Sequence, residues 1–215
     1  MNYDKFEDFE NIEKVLLKYN FGKEILETEL KILLREYEFS TKSNPVEHMK
    51  SRIKSSDSVI NKLQRKGYSL TTDNLINHVH DMIGIRIVCS FLSDVKAVVE
   101  TIKKSKVFKI QEENDYITNP KDSGYISYHM NVFVPIHLNE KTEYVEAEIQ
   151  IRTIAMDFWA SLDHKLRYKF TDDLPDDIIK EVYDCSQVIS DLDLKMEVLN
   201  QKINKQGGKI WLIKQ

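Results

Sequence analysis

A chain of 215 residues, 41% hydrophobic and 31% charged, can bury one sizeable core and is too apolar to be disordered. Its formal net charge of -4 argues against a general nucleic-acid coat; no apolar run reaches membrane-spanning length, and the acidic start "MNYDKFEDFE" is no signal peptide, so a cytoplasmic protein is expected. Two cysteines without metal-ligand spacing, Cys89 and Cys185, read as small core residues.

Residues 5–38 lack proline and place Leu26, Leu30, Leu33 and Tyr37 at helical spacing, which predicts one or two opening helices. The stretch "STKSNPVEHMKSRIKSSDSVINKLQRKG" then reads as a helix that starts after Asn44, with Pro45 in its first position, and stops at Gly67. Its apolar stripe would be Met49, Ile53, Ile60 and Leu63. Beside the stripe, every fourth residue forms a ladder of Lys50, Lys54, Ser58, Lys62 and Lys66. Lysines at that spacing repel one another unless an anion relieves them.

"MIGIRIVCSFL" predicts a central strand with Ile83, Ile85, Ile87, Cys89 and Phe91 on one face and Arg86 on the other. A helix is expected over 94–104 and strands over 107–113, 126–136 and 143–152, separated by the loops "NDYITNPKDSGY" and "HLNEKTE". The third of these strands contains "YVEAEIQIRT", whose alternation puts Val145, Ala147, Ile149 and Ile151 on one face and Glu146, Glu148, Gln150 and Arg152 on the other. A helix over 154–168 would turn Phe158, Trp159, Leu162 and Leu166 to the core and carry Asp157, Ser161, His164 and Tyr168 on another face.

The acids of "TDDLPDD" open a final helix in which Ile178, Val182, Cys185, Ile189, Leu192, Met196, Leu199 and Ile203 step by four and three. That heptad seam predicts a helix–helix interface, within the chain or between subunits, and the apolar end of "QGGKIWLIKQ" must be buried somewhere. The elements add up to an α+β fold: a helical segment over 1–44, a mixed core over 45–170, and an oligomerising helix with its tail over 171–215.

The polar groups these elements expose form a constellation. A row of cations, the separated carboxylates Asp81 and Glu148, and a loop tyrosine, Tyr125, are what a site for two nucleotides and Mg²⁺ needs. Phosphates require positive charge, Mg²⁺ takes carboxylate oxygens, and aromatic or guanidinium planes stack on bases.

On four stretches the chain resembles the small alarmone synthetases, synthetase-only relatives of the RelA/SpoT enzymes. These are "VEHMKSRIKSSDSVINKLQRKG", "HDMIGIRIVCSF", "DYITNPKDSGYISYH" and "EAEIQIRTIAMDFWASLDHKLRYK", in family order across most of 45–170. The resemblance implies a nucleotidyltransferase-like mixed sheet of about five strands, flanked by helices with N- and C-terminal helical extensions. It implies transfer of pyrophosphate from ATP to the 3′-hydroxyl of a guanine nucleotide. By the same resemblance Arg52 and Arg86 sandwich adenine, while Lys54, Ser58 and Lys62 hold the ATP phosphates. Asp81 and Glu148 hold Mg²⁺, and Glu148 accepts the proton of the attacking hydroxyl. Tyr125 stacks on guanine, and Lys121, His129, Gln150 and Asp157 place the acceptor nucleotide. A homo-oligomer, a tetramer in the family, is expected through the last helix.

Four residues depart from the family pattern: Asn114 and Ile126 where basic or polar residues are usual, Asp157 in place of asparagine, and Asp163 in place of glutamate. The acceptor end is therefore expected to be less cationic. "HDMIGIR" also suggests the histidine–aspartate metal hydrolase of longer relatives, but that chemistry needs further ligands in a separate helical domain, and residues 1–45 contain no histidine. The competing function is an RNA-binding regulator, with single-stranded RNA phosphates on the lysine ladder and bases on the tyrosines.

Overall fold

The computed structural model of the chain describes residues 3–169 and 175–205. In chain order its elements are α1 (Phe9–Thr41), β1 (Val46–Ile53), α2 (Ser56–Arg65), α3 (Thr72–His78), β2 (Ile83–Cys89) and α4 (Leu92–Ile102). Then follow β3 (Lys109–Asp115), β4 (Tyr128–His137), β5 (Thr142–Thr153), α5 (Ile154–Lys169) and α6 (Asp176–Lys205). The strands form one sheet in the order β1-β2-β5-β4-β3, with β2 and β5 parallel and every other pair antiparallel. This is the mixed α+β sheet expected from the sequence.

Strand alternation gives the sheet two unlike faces. Ile83, Ile85, Ile87, Met130, Val132, Val134, Ala147, Ile149 and Ile151 are all buried on one of them, beneath α1 and α4. Four residues of α1, Ile12, Tyr19, Leu26 and Leu30, complete that core. The helix lies close to β5 because residue 22 is glycine: a Cβ there would stand 2.3 Å from Val145 Cγ2.

The expected helix between Pro45 and Gly67 is corrected in its first half, which is the edge strand β1. Met49 and Ile53 satisfy a four-residue helical step, but they also alternate with Lys50 and Arg52, and pairing along β2 from Val46↔Cys89 to Ile53↔Ile83 decides for the strand. The helix begins only at α2, where the Ser55 side chain accepts a hydrogen bond from the Ser58 amide. The lysine ladder is therefore split between a strand and a helix. The seven-residue α3, capped by Thr71, has no counterpart among the expected elements, being too short for a period to register.

Two further expectations fail on burial. On α5, Trp159 is buried and donates its indole N–H to the Val182 carbonyl at 3.1 Å, but Phe158 is 60% exposed and Leu162 and Leu166 also face out. Cys185, expected in a core, is exposed. The reason is the way α6 docks. Val182 packs with Trp159 and Ala160, but further along it is Ser186, Asp193 and Glu197 that turn inward. Asp193 accepts from the Thr153 hydroxyl at 2.6 Å and Glu197 from the Ser93 amide at 3.0 Å. The outer part of the heptad seam, Leu192, Met196, Leu199 and Ile203, is left exposed. The tail "QGGKIWLIKQ" lies outside the described residues. No described helix is long and apolar enough to cross a membrane.

Candidate active site

The second face of the sheet is polar. Cross-strand partners share a face, so the pairings place Lys50, Arg86, Gln150, His129 and Asn114 in one row across all five strands. The next row is Arg52, Gly84, Glu148, Asn131 and Glu112. Gly84 leaves the middle of that row open, and the Arg52 side chain lies over it. The alternation of "YVEAEIQIRT" thus presents its polar members to an open surface lined by cations at one end and by amides and acids at the other.

Asp81 reaches this surface from the turn before β2. Its two oxygens receive Lys54 Nζ at 2.5 Å and Lys62 Nζ at 2.7 Å. Burial alone would raise its pKa, but the two ammonium groups outweigh burial and hold the carboxyl at about 2. Lys54 stands in the joint between β1 and α2, and Lys62 in the last turn of α2, and both converge on Asp81 even though the ladder is broken. Ser58 is exposed, its hydroxyl bonded to Ser55 at 2.8 Å.

Glu148 is largely enclosed. Gln150 donates to one of its oxygens at 2.5 Å, and His129 Nδ1 stands 3.2 Å from the other. Burial pushes its pKa up, but the bonds from His129 and Gln150 prevail and the net direction is down. Asp81 is near enough for its charge to act on Glu148.

The residue whose role the sequence left unassigned is Arg152. Only 4% of its side chain is exposed. It donates to Gln150 Oε1 at 2.7 Å, to Ser127 Oγ at 3.3 Å, to Asp157 Oδ1 at 3.2 Å and to the Tyr125 hydroxyl. The phenol, receiving that bond, can point its own proton at His129 Nε2, 2.8 Å away, which leaves the proton on Nδ1 for Glu148. Arg152, Tyr125, His129, Glu148 and Gln150 therefore close a ring of hydrogen bonds in which every donor points from the guanidinium towards the carboxylate. Strand alternation was enough to put Arg152 on this face; its burial depends on Ser127 and α5, which no local pattern reveals.

Tyr125 stands after Gly124, whose φ of 82° suits glycine and whose missing Cβ would lie 2.3 Å from Ser186 Oγ of α6. Lys121 Nζ lies 4.4 Å from the Tyr116 ring centroid and 5.3 Å from that of Tyr125. Arg86 pairs with Asp157 at 3.1 Å. All the expected site residues lie on or beside the one polar face, with Ser58 and Lys121 at its margin. Ile126 is buried and offers nothing to the cleft.

A two-layer α+β fold with an open polar sheet face, two ionised carboxylates and converging cations defines a nucleotide-handling enzyme class. The model for the region found in RelA/SpoT proteins matches residues 51–173, and the chain belongs to that family. It is 43% identical over 198 residues to the GTP pyrophosphokinase YwaC of Bacillus subtilis, covering 92% of this chain and 93% of that one. The crystal structure of small alarmone synthetase 2 from Bacillus subtilis superposes with a TM-score of 0.79 at 43% identity, covering 91% of this chain and all of the other. Small alarmone synthetase 1 of the same organism, bound to its product pppGpp, gives a TM-score of 0.81 at 33% identity, with 90% and 98% covered.

Proposed function

We propose that this chain is a GTP pyrophosphokinase of the small alarmone synthetase type, moving pyrophosphate from ATP to the 3′-oxygen of a guanine nucleotide and releasing AMP. The observation that carries the proposal is the pair of ionised carboxylates, Asp81 and Glu148, on one face with Lys54, Lys62 and three arginines, in a chain alike over 92% of its length to a GTP pyrophosphokinase. In the reaction the acceptor 3′-oxygen bonds to the β-phosphorus of ATP. The bond from that phosphorus to the α,β-bridging oxygen breaks, and AMP leaves with the electron pair. The acceptor's hydroxyl proton goes to Glu148, which is ionised at neutral pH and already oriented by His129 and Gln150. Taking the proton requires one of those two donors to yield its place to the acceptor hydroxyl.

Arg52 and Arg86 offer flat cations to adenine, and Lys54 and Lys62 exchange Asp81 for the ATP phosphates. Asp81 and Glu148 are oxygen donors and both are charged, which suits Mg²⁺, an ion usually held by one or two carboxylates and the phosphates of its substrate. Bound there, Mg²⁺ supplies charge neutralisation as the bond to AMP lengthens. What the protein itself does is hold the two nucleotides in line. Tyr125 supplies a plane for guanine, with Lys121 beside it, and His129, Gln150 and Asp157 border the same pocket.

The acceptor end contains Glu112 and Asn114 on β3, with Ile126 buried, so each added 5′-phosphate meets little positive charge. The enzyme therefore favours GDP or GMP over GTP as acceptor. The exposed seam of α6, with Phe158 beside it, supports a homo-oligomer, a tetramer by family resemblance. The RNA-binding alternative has lost its continuous lysine ladder to the break between β1 and α2. Incubation with ATP, Mg²⁺ and each of GMP, GDP and GTP, with chromatographic separation of the nucleotides, tests the proposal. AMP release that depends on a guanine nucleotide supports it; the absence of AMP and of a 3′-pyrophosphorylated product in all three mixtures refutes it.

A further inference from the structure

We infer that Asp157 and the buried Arg152 are positioning residues forming a clamp that ties Arg86, on the donor side of the cleft, to Tyr125, on the acceptor side. The inference rests on the proposed function for the identity of the two sides. Its physical basis is an unbroken run of contacts through the four side chains. Asp157 Oδ1 is 3.1 Å from Arg86 and 3.2 Å from Arg152, so a single carboxylate oxygen bridges two guanidinium groups. Arg152 in turn donates to the Tyr125 hydroxyl and stands 5.1 Å from the centroid of the Tyr125 ring. The chain Arg86–Asp157–Arg152–Tyr125 is therefore continuous from one base platform to the other.

Charge explains what the carboxylate adds to the bridge. Burial, then repulsion from Arg152, pushes the Arg86 guanidinium below its ordinary pKa, and Arg52 adds to that repulsion while Asp157 opposes it. Three guanidinium groups thus share one neighbourhood with one anion between two of them. An amide at residue 157 would keep the shape and lose the countercharge. Arg86, 34% exposed, would then be free to swing away from Arg152, whereas Arg152 is fixed by Gln150 and Ser127. Asp157 lies on the first turn of α5, so the helix sets the height at which Arg86 is held.

This arrangement separates two roles for Asp157. A carboxylate that only reads the guanine edge affects the acceptor and leaves the donor alone. A carboxylate that clamps Arg86 affects the donor when no acceptor is present. The experiment is calorimetric binding of α,β-methylene ATP with Mg²⁺ and no guanine nucleotide, to wild type, Asp157→Asn, Arg86→Gln and the double variant. Asp157→Asn is expected to weaken binding about tenfold, the loss of one charge-assisted contact in a partly exposed site. On the Arg86→Gln background the same change is expected to have no further effect, because Asp157 acts through Arg86.

Arg152→Lys, which retains the charge and loses the fork, is expected to weaken analogue binding and raise KM for the guanine nucleotide together. Unchanged analogue binding by Asp157→Asn, with a raised acceptor KM, overturns the clamp. Independent, multiplying effects of Asp157→Asn and Arg86→Gln overturn it as well. Should Asp157→Asn unfold, Asp157→Glu replaces it: a longer carboxylate that moves Arg86 must weaken the analogue, and unaltered binding again overturns the clamp. A wild type that binds no analogue at all refutes the proposed function instead.

Discussion

Replacing Glu148 by glutamine changes one oxygen for an NH₂ group and removes one charge. Glu148 accepts Gln150 Nε2 at 2.5 Å on one oxygen and faces His129 Nδ1 at 3.2 Å on the other. The amide has a single acceptor oxygen, so its NH₂ must confront one of these donors. Either Gln150 flips, which turns its own NH₂ on Arg152, or His129 takes its other tautomer, which breaks the order of protons from Tyr125. One buried hydrogen bond is lost whichever occurs, at about 1–2 kcal/mol of stability. Release of the burial cost of a charge offsets part of that, so the fold survives. The catalytic loss is larger: without a proton acceptor and with one carboxylate fewer for Mg²⁺, turnover should fall a hundredfold or more, about 3 kcal/mol in the barrier. Single-turnover measurement of AMP release, alongside thermal unfolding, separates the two effects. Turnover within a few-fold of wild type, in a folded variant, would refute the assignment of Glu148.

In the exposed seam, replacing Leu192 and Met196 by aspartate leaves the chain's own docking bonds at Thr153 and Ser93 in place, so light scattering should report the 25.3 kDa monomer while unfolding changes little. A wild type already at that mass, or a double variant at the parent mass, sinks the oligomer reading. Burial raises the Asp193 pKa, with Thr153 opposing, so the folded chain binds that proton more tightly than the unfolded one; the stability penalty is absent at low pH, grows as pH rises towards the folded value, and is complete at neutrality. Asp193→Asn should thus raise Tm at pH 7 and lose its advantage as the pH drops through the carboxylate range, whereas a lower Tm at pH 7 would show the Thr153 bond to dominate. Asn114→Arg should raise kcat/KM for GTP relative to GMP by about tenfold; equal effects on both acceptors would show that residue 114 does not meet the terminal phosphates.

β5 was legible because its period of two is strict and both of its faces have consequences: the apolar face is the core, the polar face the cleft. β1 was misread because Met49 and Ile53 are four apart, and a strand and a helix both put such residues on the same side when Lys50 and Arg52 are ignored. Only the partner strand β2 resolves the ambiguity, and partnership is not a local property. Arg152 shows the same limit in the site. Its position on the polar face follows from alternation, but its four acceptors are Asp157 on α5, Tyr125 and Ser127 in the loop before β4, and Gln150 on β5 itself, and only the assembled fold brings them within reach.

The seam of α6 teaches a different lesson. Its apolar spacing predicts a helix–helix interface, yet the side turned to the chain's own core carries Ser186, Asp193 and Glu197. Buried polar groups are tolerable only when bonded, and Thr153 and Ser93 bond two of them. Fixed by these bonds, the helix leaves its apolar seam free for a neighbour. The third group, Ser186, has another neighbour: it packs where a Cβ of Gly124 would be, directly behind Tyr125. One helix therefore carries the uncovered seam on its outer side and packs on its inner side against the loop that places Tyr125.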